Sequence, residues 1–306
     1  MLPIKIELPE GFLQEEVRCG YTVSAEVKKL WTVELDLLSE FDRVCKKNGL
    51  TYFADGGTLL GAVRHQGFIP WDDDIDVIMP RKDYDKLKYI AANEFRDPYF
   101  FQSMSSDVGL VSGGCRLRNS ETTITNSSEW IKPFQNKGVF IDIFSLDRAS
   151  DNDWSLRNLK FILKAYWRIL RFAAYPEYYF EKDQKYPLNK RIKGLCAVIA
   201  KKIWGIEQLY HGYEKCCTKY NKKDTKRVAP FESLRGHRIY QQKWFETTEY
   251  LPFEWLKIPV PANCDEVLKE AYGDYMVMKQ VPAIHSALTF DAETPYKEYR
   301  KKRGLL

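Results

Sequence analysis

The chain has 306 residues, of which 44% are hydrophobic and 29% are charged, and its formal net charge is +5. A chain of this length and composition can bury a large core, which excludes a disordered polypeptide. No apolar run is long enough to cross a bilayer, because the longest, near Leu195, is interrupted by Lys201 and Lys202. The N-terminal residues contain no signal-peptide core, and the seven cysteines show neither Cys-x-x-Cys nor paired Cys/His spacing. We therefore expect a cytoplasmic protein with free thiols.

The first predicted helix begins after Ser24, a typical N-cap residue, and ends at Gly49. A strand at 51–54 follows, then a glycine turn with a short helix, and then a strand at 75–79 that ends at Pro80. The remaining elements of this part are a helix at 83–94 and strands at 98–104, 114–119, 121–125 and 139–143. The pattern predicts a mixed sheet with helices packed on it.

From residue 153 to residue 220 the pattern is helical, with interruptions at Pro176 and Pro187. Residues 151–227 contain 18 Lys and Arg against 8 Asp and Glu, a net charge of +10, so the remainder of the chain has a net charge of −5. A basic segment that is also rich in Trp and Tyr predicts an anionic partner.

The C-terminal part returns to mixed structure. Three prolines, Pro252, Pro259 and Pro261, predict loops, and residues 264–272 predict a helix with Gly273 as its cap. The fold class predicted for the whole chain is α/β (α+β). It comprises a catalytic core at 25–150, a basic helical subdomain at 151–225 and a segment at 226–306 that packs back on the core.

An acidic run precedes and enters the strand at 75–79. Asp74 and Asp76 alternate, so on a strand they would project from one face while Ile75 points into the core. Two such carboxylates repel each other and usually persist because a cation lies between them. Oxygen ligands suit a hard cation such as Mg²⁺ or Mn²⁺, which also binds phosphate oxygens, so the pattern predicts phosphoryl transfer. A solvated surface turn would be enough to explain Asp72 and Asp73, but it does not explain Asp76 between Ile75 and Val77.

Two further observations bear on the predicted cation site. An EF-hand loop would place a glycine where this chain has Val77, which argues against a calcium loop. Asp142 is the single charge within the apolar stretch 138–144, and burying it would be costly without a cation or a hydrogen-bonding partner.

The Gly-Gly-Thr turn, the Asp-Ile-Asp strand and the later strand with Asp142 follow one another in the order found in nucleotidyltransferase-fold enzymes. The sequence resembles one family of that fold in particular, the LicD family of phosphocholine and related phosphotransferases, which includes the fukutin-related proteins. The resemblance runs from about residue 25 to residue 290. The matching stretches are 55–65, 67–76, 116–118, 140–144, 258–262 and 272–276, followed by His285.

The resemblance implies a Mg²⁺-dependent transfer of a phospho-alcohol, typically phosphocholine, from a CDP-activated donor to a hydroxyl of a cell-surface glycan or glycolipid precursor, with release of CMP. Asp74, Asp76 and Asp142 would hold the cation, or Asp142 would accept the proton of the attacking hydroxyl. Backbone amides and nearby cations would bind the phosphates. The residues expected to bind substrate are Gly56, Gly57, Thr58, Arg64, Arg116, Arg118 and His285. At residue 286 the chain has Ser where the family often has a second His.

Three alternatives remain open at this point. The same geometry could transfer a nucleoside monophosphate with release of pyrophosphate, it could hydrolyse a phosphoester without an acceptor, or the chain could be a non-catalytic relative that binds a nucleotide or glycan. None of the expected acidic ligands is missing, which favours an enzyme.

The basic segment 151–227 has two interpretations. It could make peripheral contact with an anionic membrane at the inner face of the plasma membrane. Alternatively, its apolar stripe packs on the core and its lysines are a solvated face. We expect no nucleic-acid partner.

Overall fold

The computed structural model of the protein describes residues 2–107, 110–125, 135–174, 188–232, 238–280 and 289–304. The helices are α1 (Ala25–Asn48), α2 (Gly56–His65), α3 (Arg81–Glu94), α4 (Asp153–Ala174), α5 (Leu188–Trp204), α6 (Ile206–Cys217), α7 (Cys264–Tyr272) and α8 (Tyr296–Lys302). The strands are β1 (Glu16–Arg18), β2 (Tyr21–Val23), β3 (Phe53–Ala54), β4 (Asp76–Pro80), β5 (Tyr99–Gln102), β6 (Cys115–Asn119), β7 (Thr123–Thr125), β8 (Val139–Ala149), β9 (Arg227–Ala229), β10 (Tyr240–Gln241), β11 (Thr248–Phe253), β12 (Leu256–Pro261) and β13 (Thr289–Asp291). The predicted mixed α/β class is confirmed.

Helix α1 begins and ends where the sequence predicts. The Ser24 hydroxyl accepts a hydrogen bond from the Val27 N–H at 3.3 Å, which caps the N-terminus. Gly49 closes the C-terminus in the left-handed conformation, with φ 60°, and its N–H donates to carbonyls of the last turn. All side chains from residue 30 to residue 38 are buried. A helix that is buried on every side lies inside the core, so α1 is the central helix of the fold.

A seven-stranded mixed sheet contains the acidic strand. Its order is β10–β9–β8–β4–β3, with β6 paired to β8 and β5 paired to β6. Strands β4 and β8 run parallel, and Asp76 lies in register with Asp142. Strand β6 runs antiparallel to β8 on its other side, with Arg116 opposite Asp142. Residues in register share a face of the sheet, so the topology places these three side chains next to one another.

The helical segment after β8 has a hydrophobic cluster of its own. Helix α4 packs a buried stripe against α6, where the ring centroids of Trp167 and Tyr213 are 5.4 Å apart. The buried stripe of α4 consists of Leu156, Leu159, Leu163, Trp167 and Leu170. The cluster also includes Ala149 at the end of β8. The domain boundaries at residues 150 and 225 stay predictions.

Residues 248–261 form a hairpin, where the prolines predicted loops. Pro252 lies opposite Lys257, and Pro259 lies opposite Tyr250, in the antiparallel pair of β11 and β12. A two-stranded sheet has an outward edge on each strand, where a residue without an N–H loses no ladder hydrogen bond. The loop prediction was wrong because it treated every proline as a breaker.

Candidate active site

The Gly-Gly-Thr sequence forms the first turn of helix α2. Gly56 has φ 56°, a left-handed conformation that glycine adopts without strain. The Thr58 hydroxyl accepts a hydrogen bond from the Asp76 N–H at 2.8 Å, and the Asp55 N–H donates to the Asp76 carbonyl at 3.0 Å. These bonds hold the start of α2 against the start of β4. First-turn amides have no intrahelical acceptor and form the positive end of the helix dipole, so this position suits a phosphate group.

Asp72 packs against this helix terminus. A Cβ atom at Gly57 would lie 2.3 Å from Asp72 Oδ2, so the absence of a side chain at residue 57 makes room for the carboxylate. The indole N–H of Trp31 donates to the Asp72 backbone carbonyl at 3.0 Å. Burial, together with the charges of Asp76 and Asp73, raises the pKa of Asp72 to about 6. Asp72 is half-buried, and its carboxylate lies against the start of α2, so it is less solvated than the predicted surface turn.

Several carboxylates meet where the loop enters β4. One oxygen from each of Asp72, Asp73 and Asp74 lies within 4.8 Å of the others. Asp76, the first residue of β4, is buried and lies beside Asp142 across the parallel pair. The structure therefore gathers the acidic loop, the start of β4 and the middle of β8 at one place. The joint coordination of a cation by Asp74, Asp76 and Asp142 stays a prediction.

Arg116 brings a positive charge to this cluster. Its Nε donates to Asp142 Oδ1 at 2.7 Å, and its guanidinium lies 4.1 Å from the centre of the Phe140 ring. The side chain is 24% exposed. Arg116 therefore contacts Asp142 and also reaches solvent, where an anionic ligand could bind.

Arg118 lies on the same face of β6 but is only 3% exposed. Its guanidinium donates to the Gln102 side-chain carbonyl and to the Gly138 backbone carbonyl, and it lies over Phe140. Burial, reinforced by the neighbouring Arg116, lowers the pKa of Arg118. Nε and Nη1 of Arg118 are therefore bonded to protein acceptors, and little of the side chain reaches solvent. Its phosphate-binding role stays a prediction, and Arg116 is the better placed of the two arginines.

Arg64 lies at the other end of α2, about 12 Å along the helix axis from Gly56. Its Nη1 donates to the Tyr275 carbonyl at 2.8 Å, and its Nε donates to His65 Nε2 at 2.9 Å. Arg64 thus ties α2 to the segment that follows α7. Its role in substrate binding stays a prediction, and His285 lies outside the described residues.

Glu34 of α1 is a site residue that the sequence reasoning missed. It is 2% exposed, and its Oε2 has no hydrogen-bond partner within the described part of the chain. Burial, reinforced by the charge of Asp74 and the neighbouring aspartates, raises the pKa of Glu34 well above its usual value. The available signal was an acidic residue between Val33 and Leu35 in a helix whose apolar residues continue on every side.

The donor atoms fit a hard divalent cation. They are all carboxylate oxygens, the ligands that Mg²⁺ and Mn²⁺ prefer. Like charges this close repel one another, and no described residue donates a hydrogen bond to the buried Glu34 Oε2. The residues that could hold a cation are Asp72, Asp73, Asp74, Asp76, Asp142 and Glu34.

A mixed sheet with carboxylates on adjacent strands, beside a helix N-terminus suited to phosphate, defines a phosphotransferase of the nucleotidyltransferase type. Residues 49–191 match the family model described as LicD/FKTN/FKRP, nucleotidyltransferase domain. The chain therefore contains a LicD-family nucleotidyltransferase domain.

Three relatives show how far the similarity extends. The chain is 29% identical over 251 residues to the lipopolysaccharide cholinephosphotransferase LicD of Haemophilus influenzae, which covers 79% of this chain and 88% of that protein. It is 40% identical over 184 residues to an uncharacterized protein of Rickettsia typhi, which covers 58% of this chain and 47% of that protein. It is 37% identical over 78 residues to the mouse ribitol 5-phosphate transferase FKRP, which covers 22% of this chain and 16% of that protein.

Proposed function

We propose that this phosphotransferase moves a phospho-alcohol, typically phosphocholine, from a CDP-activated donor to a hydroxyl of a cell-surface glycan or glycolipid precursor, with release of CMP. The observation that carries this proposal is the placement of Asp76 and Asp142 in register beside the N-terminus of α2. The Haemophilus influenzae relative is named a lipopolysaccharide cholinephosphotransferase, which supports the class of transferred group and of acceptor.

The proposal includes a divalent cation, Mg²⁺ or Mn²⁺, held by Asp74, Asp76 and Asp142. When bound, such a cation neutralises phosphate charge that develops during the transfer. The crowding of acidic oxygens and the orphaned Glu34 Oε2 support it, because both features are costly without a positive ligand.

The protein's own groups would position the donor and the acceptor. Amides of Gly56, Gly57 and Thr58 at the start of α2 would donate to the donor phosphates. Arg116 would donate to a phosphate oxygen with the guanidinium nitrogens that do not bind Asp142, because the planar fork can serve two acceptors. Asp142 would either hold the cation or accept the proton of the attacking hydroxyl.

A product assay tests this function. The purified protein is incubated with Mg²⁺, a panel of CDP-alcohols and a glycan acceptor, and CMP is measured. We expect CMP to form from one of these donors only when the acceptor is present, and to be lost in Asp76→Asn. Asp224→Asn, which alters a fully exposed aspartate, is the matched control.

Two other outcomes would assign a different reaction. Release of pyrophosphate from a nucleoside triphosphate would indicate nucleotidyl transfer. Release of CMP at an equal rate without an acceptor would indicate a phosphoesterase.

We propose in addition that α4 and α5 contact an anionic membrane. Among the described helices, none is long and apolar enough to cross a bilayer. Helix α5 instead buries Gly194 and Ala197 and exposes an apolar stripe on another face, whose members are 46–65% exposed. The stripe consists of Ile192, Leu195, Ile199 and Ile203, at intervals of three or four residues.

Helix α4, which contacts α5, also exposes apolar side chains, including Trp154 and Phe161. The two helices together contain ten Lys and Arg and a single acidic residue, Asp153. The same surface on a second copy of the chain would repel it, whereas an anionic bilayer attracts it by about 1 kcal/mol for each basic residue near the lipid. The combination of basic and apolar side chains is typical of helices that lie in a membrane interface.

Co-sedimentation with liposomes tests the membrane proposal. We expect binding to vesicles containing phosphatidylglycerol but not to phosphatidylcholine vesicles, with loss at high salt. The double variant Leu195→Ser, Ile199→Ser should weaken binding, whereas Val17→Ser, which alters an exposed apolar residue elsewhere, should not. Absence of binding to both kinds of vesicle removes the proposal.

A further inference from the structure

Helix α1 contains three buried charged side chains that differ in their partners. Lys28 forms an ion pair with Glu16. Asp36 accepts hydrogen bonds from two backbone N–H groups and from the Tyr99 hydroxyl, the last at 2.8 Å. Glu34 is as deeply buried, but its Oε2 has no hydrogen-bond partner within the described ranges. Buried polar atoms without a partner are rare, and an ion or water that binds there is a common reason for them.

The face of α1 that carries Glu34 lies against the acidic loop. Trp31, one turn earlier, donates its indole N–H to the Asp72 carbonyl at 3.0 Å. Residues three apart on a helix share a face, so Glu34 is directed to the same loop. The charges that act on Glu34 are those of Asp74, Asp73, Asp72 and Asp76. All four are negative.

A purely structural role does not account for this arrangement. A structural glutamate would have donors, as Asp36 has, and an apolar side chain of similar volume is often at least as stable as a buried charge. A divalent cation at the loop would satisfy Glu34 and would also relieve the repulsion among the aspartates.

We propose that Glu34 is a cation-binding residue of the active site. Its carboxylate contacts the divalent cation held by Asp74 and Asp76, either directly or through one coordinated water. The inference rests on the proposed function, because it requires that cation. It adds α1 to the elements that form the site.

Binding of Mn²⁺ to the full chain, followed by electron paramagnetic resonance and by calorimetry, tests the role of Glu34 without an activity assay. We expect Glu34→Gln to raise the Kd for Mn²⁺ at least about tenfold. Glu34→Asp keeps the charge on a shorter side chain, so its Kd should lie between those of the wild type and Glu34→Gln. The matched control is Asp36→Asn, the partnered carboxylate on the same helix, which should lose stability and keep its Kd.

The outcomes separate this inference from the proposed function. If the wild type binds Mn²⁺ and Glu34→Gln binds it equally well, Glu34 is not a cation-binding residue, and the cation site of the aspartates stands. If the wild type binds no Mn²⁺ with or without CDP-choline, the cation site and the role of Glu34 both fall. If Glu34→Gln does not fold, as judged by circular dichroism, Glu34→Asp decides alone, and an unchanged Kd overturns the inference.

Discussion

Two groups of buried and half-buried carboxylates lie in this fold, and they differ in the charges that surround them. The first, the acidic site, consists of Glu34, Asp72, Asp73, Asp74, Asp76 and Asp142. The second, the arginine network, consists of Arg81, Ser145, Asp147, Tyr210 and Glu232. Both groups lie along β4 and β8, because Asp76 begins β4 and Arg81 follows it, while β8 carries both Asp142 and Asp147.

In the arginine network the protein supplies the counter-charge. Arg81 donates to both oxygens of Asp147, at 2.8 and 2.7 Å, and to Glu232 at 3.2 Å. Ser145 bridges the two carboxylates, at 3.1 and 3.0 Å, and Tyr210 donates to the other oxygen of Glu232. A buried charge group with this many hydrogen bonds is a structural junction, here between α3, β8 and α6.

In the acidic site the charges that act on Glu34 and Asp72 are those of neighbouring aspartates. The described contact with a positive charge is the one between Arg116 and Asp142. Carboxylate burial by itself therefore does not identify a functional site. Beyond burial, the charges that raise the pKa of Glu34 and of Asp72 in the acidic site are those of other carboxylates, an environment that a metal ion and an anionic donor bound through it would complete.

The largest expected effect is the loss of turnover in Asp76→Asn. The substitution keeps the shape of the side chain and removes a negative ligand, so turnover should fall by about 10³-fold or more. Thermal stability without a metal should be unchanged or slightly higher, because one repulsive charge is gone. Steady-state kinetics and a melting curve with and without Mg²⁺ measure both effects. Turnover like that of the wild type would remove Asp76 from the cation site.

Asp147→Asn in the arginine network is expected to lower stability without weakening cation binding. The substitution replaces one of the two carboxylate oxygens that accept from Arg81 with an amide nitrogen that cannot accept, which should lower the free energy of unfolding by about 1–3 kcal/mol. Affinity for Mn²⁺ should be unchanged. Urea denaturation and Mn²⁺ titration check the two statements. A loss of Mn²⁺ affinity as large as that of Asp76→Asn would show that the two groups are one functional unit.

Local signals explain what the sequence predicted correctly. Ser24 and Gly49 mark the ends of α1 because caps are set by the residues next to them. Short apolar runs predicted the strands that became β4 and β8, and the alternation of Arg116 and Arg118 placed both on one face, where both contact Phe140.

The features that the sequence did not predict depend on contacts between residues far apart in the chain. Arg81 and Asp147 are 66 positions apart, and no local pattern pairs them. Glu34 resembles any helical glutamate until α1 is packed against the acidic loop. Asp72 resembles a turn residue until α2 places Gly57 beside it. In each case the partner is fixed by tertiary packing, which propensity and periodicity do not encode.

Arg116 and Arg118 of β6 provide the same contrast between a ligand-binding and a structural charge on a single strand. Arg116→Ala should raise the KM for the donor about 10- to 100-fold, because a charge-assisted hydrogen bond to phosphate is lost. Arg116→Lys should recover only part of this, since Lys lacks the planar fork. Donor kinetics of the purified variants measure the effect.

Arg118→Ala is the matched variant. It leaves the Gln102 and Gly138 carbonyls without their donor, so it should lower the free energy of unfolding by about 1–3 kcal/mol and raise the KM for the donor less than Arg116→Ala does. A rise in KM as large as that of Arg116→Ala, at unchanged stability, would make Arg118 the main phosphate ligand.

The smallest expected effect concerns two adjacent glycines at the acidic site. A methyl group at residue 57 would overlap Asp72 Oδ2, so in Gly57→Ala the Asp72 carboxylate must rotate away from α2. A side-chain rotation costs little, and we expect the free energy of unfolding to change by less than about 1 kcal/mol. Turnover should fall about tenfold, because the displaced carboxylate alters the acidic loop beside the donor phosphates.

Gly56→Ala tests backbone strain, whereas Gly57→Ala tests the space available to the Asp72 side chain. Gly56 has φ 56°, which costs about 1–2 kcal/mol for a residue with a Cβ, so this variant should lose stability by that amount. Urea denaturation and steady-state kinetics of both variants provide the comparison. If Gly57→Ala loses as much stability as Gly56→Ala and keeps its turnover, the space at residue 57 serves folding, and the placement of Asp72 against α2 has no part in the reaction.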